Sequence, residues 1–129
     1  MGLGITGILT GLQKNPRGQA KYDSLIERRY MESLEENPHV RSWTKDHSIR
    51  IPYQYLFFRH HYEPDFFVEM KDGTKEIHET KGEGLMYWIT TDAKREAADR
   101  WCKERGYKYR LITPGKEWFY QNPKADIER

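Results

Sequence analysis

The spacing of apolar positions divides the chain into a short series of elements. Over residues 21–36, Tyr22, Ile26, Tyr30 and Leu34 recur every four positions, which predicts an amphipathic helix that Asn37-Pro38 stops. Glu27 lies on the flank of that stripe, in line with Tyr30, Met31 and Leu34. Residues 40–44 and 49–55 read as strands around the polar Lys45-Asp46-His47 turn, with Val40, Trp43, Ile49, Ile51, Tyr53 and Tyr55 supplying the bulk. Residues 66–70 and 74–78 are the arms of a hairpin expected in the same sheet. A second helix is expected from a cap at Thr91 or Asp92 to about Arg105, with Ala93, Ala97, Ala98 and Trp101 on its small face and Gly106 ending it. Residues 107–112 return as a strand beside the hairpin. The order is α, β, β, β, α, β, an α/β fold with a mixed central sheet flanked by helices.

The flanks are less periodic. The first twenty residues are glycine-rich, with glycines at 2, 4, 7 and 11 in the first twelve alone, and have no usable period, which predicts a mobile arm or a short docking segment. Glu83-Gly84-Leu85-Met86-Tyr87-Trp88 reads as a flexible flap, two glycines with large side chains after them. The expected organisation is an arm over 1–20, a core over 21–113 and an extension over 114–129.

The hairpin fixes a register. Lys71-Asp72-Gly73 joins its arms with glycine last, where a type I turn followed by a bulge needs positive φ. Such a loop pairs Met70 with Thr74, so Phe67 faces Ile77 and Asp65 faces Glu79, with β-carbons roughly 5 Å apart in a regular ladder. Lys81, two residues beyond Glu79, points the same way. A two-residue Asp72-Gly73 turn would instead send the carboxylates to opposite faces. Two carboxylates held that close repel unless a cation sits between them, and oxygen ligands suit hard divalent ions such as Mg²⁺. The ammonium of Lys81 is then suited to orienting a water or offsetting charge on a phosphate. The competing reading is an ordinary hairpin with solvated charges at its strand ends.

Composition bounds the function classes. At 129 residues the chain is long enough for a single core, and 14% aromatic residues argue against disorder despite a mean hydropathy of −0.99. The balance of 22 Lys and Arg against 20 Asp and Glu gives +2, too little to imply a nucleic-acid partner by itself. The single cysteine, Cys102, excludes an internal disulfide and a cysteine-rich zinc site. With no transmembrane run and no positively charged leader, the expectation is a cytoplasmic protein without a membrane partner. His60, His61 and His78 are poor zinc candidates, since adjacent histidines point apart in an extended chain. Met86-Tyr87-Trp88 and Trp118-Phe119-Tyr120 offer aromatic rings for stacking on bases, or for packing into a core.

Five segments taken together carry a resemblance: Tyr22-Asp23-Ser24-Leu25-Ile26-Glu27-Arg28, Ile51-Pro52-Tyr53, Tyr62-Glu63-Pro64-Asp65-Phe66, Glu79-Thr80-Lys81-Gly82 and Asp92-Ala93-Lys94. Over residues 22–113 their order resembles PD-(D/E)XK nucleases, most closely TnsA-type transposon endonucleases and the nuclease domains of type III restriction enzymes and related helicases. Phage endonuclease I resolvases look similar. The resemblance implies a restriction-endonuclease-like fold with Mg²⁺ or Mn²⁺ at its centre, acting on DNA to leave 5′-phosphates, in a bacterial or phage-infected cytosol. It implies that Asp65, Glu79, the Thr80 carbonyl and Glu27 bind the metal, with Lys81 positioning the attacking water. Lys94, Arg28, Arg29, Tyr87 and Trp88 are the candidate DNA contacts. Target choice would come from DNA shape, a homodimer or a partner protein. The alternatives are a catalytically weak binding or assembly subunit that docks a helicase, transposase or packaging machine and, within the enzyme class, a Holliday-junction resolvase.

Overall fold

The computed structural model describes residues 6–80 and 88–112. Its elements are β1 (Gly7–Thr10), β2 (Gln19–Tyr22), α1 (Leu25–Glu36), β3 (Val40–Thr44), β4 (Ile51–Tyr55), β5 (Phe58–Tyr62), β6 (Phe66–Met70), β7 (Lys75–Thr80), α2 (Trp88–Arg105) and β8 (Lys108–Ile112). The central sheet runs β3-β6-β7-β8, antiparallel except for the last pair, whose parallel connection passes through α2. This mixed sheet between helices is the restriction-endonuclease-like α/β arrangement expected. No helix among the described residues is long and apolar enough to cross a membrane.

Alternation along the strands separates two cores. On one face, Tyr30, Met31 and Leu34 of α1 pack with Val40, Trp43, Phe66, Val68, Met70 and Ile112. On the other, Ala97 and Ala98 of α2 pack on Ile51, with Trp101, Tyr53, Tyr62 and Tyr109 around them. Cys102 is buried on the same helix. The small alanine face lets α2 lie close to β4 and β8, and the helix closes where the Tyr107 N–H donates to the Cys102 carbonyl at 2.8 Å.

Three expectations change. The first helix begins at Leu25 rather than near Lys21: Ser24 is its cap, accepting from the Glu27 N–H at 3.1 Å, and Tyr22 ends β2 instead. Residues 49–55 do not join the central sheet, because β4 folds back on β5 as a separate hairpin paired from Ile51↔Tyr62 to Tyr55↔Phe58. Within the stretch 1–20, expected to be a mobile arm or a short docking segment, residues 7–20 build the β1–β2 hairpin with Lys21 and Tyr22, and Leu12 and Tyr22 enter the core. Glycine is required at position 7 because the Tyr22 ring lies across it; a β-carbon there would meet the hydroxyl oxygen at 2.4 Å. The loop after β1 is stitched down by Glu35, which accepts from the Gln13 N–H at 2.7 Å, the Lys14 N–H at 3.0 Å and Trp43 Nε1–H at 2.8 Å. The second helix starts at Trp88, and the flap at residues 83–87 and the extension at 114–129 lie outside the described residues.

A buried polar chain ties the elements together. Tyr30 on α1 meets His78 Nδ1 at 2.6 Å, and His78 Nε2 meets Glu76 Oε1 at 2.7 Å. Glu76 also takes two bonds from Arg110 on β8, from Nε at 2.7 Å and from Nη2 at 3.3 Å. Glu76, His78 and Arg110 are fully buried, so their charges are matched within the protein. Burial alone raises the Glu76 carboxyl, but the hydrogen bonds from His78 and Arg110 outweigh it and bring it down to about 2. Burial lowers His78, the Glu76 carboxylate opposes it and Arg110 adds to it, for a net downward shift; the neutral ring donates from Nε2 to Glu76 while Nδ1 accepts from the Tyr30 hydroxyl.

Two stability effects follow, with the same sign. Glu76 is depressed in the fold, so its contribution is complete above the unfolded value of 4.5 and fades as pH falls toward 2. His78 resists protonation in the fold, so below its unfolded value of 6.5 the unfolded chain binds more protons and stability falls. Chemical denaturation from pH 8 to 4 should give a midpoint that declines from about pH 6.5 downward, and His78→Gln should flatten the upper part of that decline. A flat wild-type profile between pH 7 and 5 would contradict the assignment. Arg110→Met, which strands the Glu76 charge, should cost about 3–5 kcal/mol.

Candidate functional site

The β6–β7 hairpin has the expected register. Phe67 pairs with Ile77, the Met70 N–H donates to the Thr74 carbonyl at 2.8 Å, and Gly73 takes φ +92°. Continuing the count puts Asp65 opposite Glu79, one step past the last paired residues, Phe66 and His78. Asp65 sits in a bend, where its Oδ2 accepts from the Thr80 N–H at 2.8 Å and the Thr80 hydroxyl at 3.1 Å. The bend is anchored from behind. His47 Nδ1 accepts from the Ile49 N–H at 3.0 Å, which leaves Nε2–H to donate to the Pro64 carbonyl at 2.8 Å.

Charge accumulates at this end of the sheet. Burial raises the Asp65 carboxyl, the Thr80 N–H bond opposes it, and the negative charge of Glu27 raises it further, for a net upward shift. Glu79 is buried. Burial also raises the hydroxyls of Tyr62 and Tyr109, and both feel the charges of Glu79 and, more weakly, Asp65. The two carboxylates thus share one electrostatic neighbourhood, floored by two tyrosines.

Glu27 reaches that neighbourhood from the first turn of α1. Its Oε1 accepts from the Asp23 N–H at 2.9 Å and pairs with Lys45 Nζ at 2.7 Å, in a largely enclosed contact. Lys45 also donates to the Lys21 carbonyl at 2.9 Å, lies 5.9 Å from the Phe66 ring centre and lowers the Asp65 carboxyl by its charge. Arg28 and Arg29 are the basic residues next to Glu27 in the chain. Arg28 instead pairs with Glu32 at 3.4 Å and lies over the Tyr22 ring, and Arg29 is exposed. Adjacent helix positions point apart, whereas Lys45 approaches from the end of β3.

Lys94 lies on α2 with its ammonium 5.7 Å from the Tyr53 ring centre and 5.5 Å from that of Tyr62, so it shares Tyr62 with the carboxylate pair. His60 stacks on Tyr53 at 5.2 Å, His61 is exposed and His78 belongs to the buried chain described above, so the three histidines have separate environments. Lys81 and Tyr87 lie outside the described residues, as does the side chain of Trp88.

The donors at this centre are carboxylate oxygens, which suit a hard divalent cation better than a soft one. Among the described residues, no group of three or more His, Cys, Asp or Glu side chains converges as a metal cluster, so the acidic set is a pair with Glu27 held nearby on Lys45. Lys45, His47, Tyr62 and Tyr109 were not singled out from the sequence. Lys45 and His47 stand in a stretch that reads as an ordinary polar turn, and Tyr62 carries a signal only through its place three residues before Asp65.

No curated protein matches the chain. A family match covers β3 through β8, including Asp65, Glu79 and Lys81, and begins ten residues after Glu27. Residues 37–114, more than half of the 129, match the TnsA-like endonuclease N-terminal family, and the chain belongs to that family.

Proposed function

We propose that this chain is a divalent-metal-dependent endodeoxyribonuclease that hydrolyses phosphodiester bonds and leaves 5′-phosphate ends. The observation that carries the reading is the juxtaposition of Asp65 and Glu79 at one end of the β6–β7 hairpin, inside the stretch that matches an endonuclease family. Asp65, Glu79, the Thr80 carbonyl and Glu27 would hold Mg²⁺ or Mn²⁺. The bound ion supplies Lewis-acid stabilisation of the phosphate and acidifies water. Both Thr80 hydrogen bonds go to Oδ2 of Asp65 and hold that carboxylate in place, and its other oxygen would be available to an ion. Lys81, two positions beyond Glu79, orients the attacking water and offsets phosphate charge. Lys94 lies beside the same tyrosine floor and is suited to a phosphate of the DNA strand. Target choice would rest on DNA shape, on a second copy or on a partner protein. Cleavage of labelled linear, nicked, flapped and four-way DNA, with and without Mg²⁺, tests the activity and its substrate together.

Conservative variants of the acidic pair isolate the chemistry from the fold. Asp65→Asn and Glu79→Gln should each lower cleavage by roughly 10²-fold or more while leaving the melting temperature and DNA binding close to wild type. Full Mg²⁺-dependent activity in both would sink the site.

Lys81→Met should separate rate from affinity. An exposed lysine replaced by methionine moves stability by no more than about 0.5 kcal/mol, whereas a lysine aimed at the reacting phosphate should slow single-turnover cleavage by roughly 10²-fold with the metal titration nearly unchanged. An unchanged rate constant would return Lys81 to the solvated surface.

Glu27 and Lys45 should act with opposite signs. Glu27→Gln removes a charge that attracts the cation and should raise the Mg²⁺ concentration for half-maximal cleavage. Lys45→Gln removes the internal cation that competes for the same carboxylate and should lower it. Two shifts in the same direction would leave their ion pair as a purely structural contact.

A further inference from the structure

The β4–β5 hairpin spends stability on its tip. Its two-residue turn is Leu56-Phe57, both at positive φ (53° and 68°), where asparagine and glycine are the residues that fit without strain. Leu56 is 64% exposed, Phe58 68% and Phe57 fully so, the three largest exposures among the large apolar side chains of the described residues. Packing inside the described fold accounts for neither the conformation nor the residues, since the hairpin is held at its base by α2 and its tip covers nothing.

The surroundings point to the occupant. From His47 to Tyr62 the chain itself carries Arg50, Arg59 and three histidines and not one Asp or Glu, and the acidic side chains nearest Arg59, Glu96 and Glu104, lie on the α2 side of the hairpin with Arg100 among them. A basic, aromatic ribbon of this kind is complementary to a polyanion that also offers apolar faces. The ribbon is continuous with the candidate centre as well. Tyr62, its last residue, stands three positions before Asp65, and the Phe58 end of β5 stands about 14 Å further along the strand.

We propose that the β4–β5 hairpin is a DNA wedge, with Leu56, Phe57 and Phe58 entering between base pairs of a kinked duplex, Arg59 meeting a flanking phosphate and Arg50, at the base of the hairpin, meeting the backbone further along. This rests on the nuclease reading and adds to it a substrate form: DNA bent or unstacked beside the cut. Apolar side chains inserted at a base step are a general means of kinking a duplex, and a pre-weakened step lowers the cost.

The test is Leu56→Asn/Phe57→Gly, which suits the turn and removes the wedge. Its melting temperature should equal or exceed that of wild type. In EDTA, wild type should bind a duplex labelled for end-to-end energy transfer and carrying 2-aminopurine, bringing the ends closer and raising the fluorescence. The variant should bind roughly tenfold or more weakly without either change, the size of one lost stacking contact. With Mg²⁺, its cleavage of intact duplex should fall and recover on DNA with a mismatch or a bulge. Equal binding, bending and fluorescence in the two proteins would overturn the wedge, and continued cutting by both would leave the nuclease reading standing. Wild type that neither binds nor cuts DNA would overturn both. A wild-type dimer that becomes a monomer in the variant, with unchanged DNA affinity, would assign the tip to a second copy of the chain and overturn the wedge. Phe57→Asn alone serves the same comparison if the double variant fails to fold.

Discussion

The buried chain from Tyr30 through His78 and Glu76 to Arg110 is the constraint on which the rest of this structure depends. It crosses three elements, α1, β7 and β8, and every member is withdrawn from water. Each partner supplies what another lacks: Arg110 and the His78 N–H offset the desolvated carboxylate, and Tyr30 satisfies the second imidazole nitrogen. A network of this type is costly when incomplete, which makes it a strong determinant of how α1 sits on the sheet. That placement decides whether Glu27, one turn before Tyr30, arrives at the same sheet end as Asp65 and Glu79. Alternation along β7 then divides the labour. Glu76 and His78 face α1 and hold the fold, while Ile77 and Glu79 face α2, with Glu79 at the candidate centre.

The centre itself gathers like charge at a strand end and balances it with short local devices. Thr80 gives Asp65 two hydrogen bonds, Lys45 gives Glu27 a cation, and His47 fixes the peptide just before Asp65. Their effects on Asp65 oppose one another, since burial and Glu27 favour its neutral form while Thr80 and Lys45 favour the carboxylate. Such a balance is sensitive to an arriving cation, because the terms that raise the carboxyl are those that a positive charge relieves.

Much of this was legible in the sequence where local chemistry was unambiguous. Lys71-Asp72-Gly73, with its glycine last, and the alternation around it set the β6–β7 register, and with it the opposition of Asp65 and Glu79. Tyr30, Met31 and Leu34 gave the buried face of α1, and Ala97 and Ala98 that of α2. The misses have physical causes. The β4–β5 turn is Leu-Phe where a two-residue hairpin calls for Asn-Gly, so β5 gave no signal and β4 was assigned to the wrong sheet. The strands of β1–β2 are four residues each, too short for a period to emerge, and Tyr22 fell into helical spacing with Ile26 by coincidence. The pairing of Glu76 with Arg110 left no trace in the sequence, because nothing in one strand reveals a partner 34 residues away.

Cys102 gives the molecule a built-in reporter. It is the sole cysteine, it is buried on α2, and burial together with the nearby Asp99 pushes its thiol up to about 12. At neutral pH the folded protein therefore offers almost no thiolate to an alkylating reagent, and only opening of the α2 layer delivers one. New cysteines introduced on the surface can carry dyes or crosslinkers without first removing the native thiol. The slow labelling of Cys102 itself, followed by mass, then measures how often that layer opens.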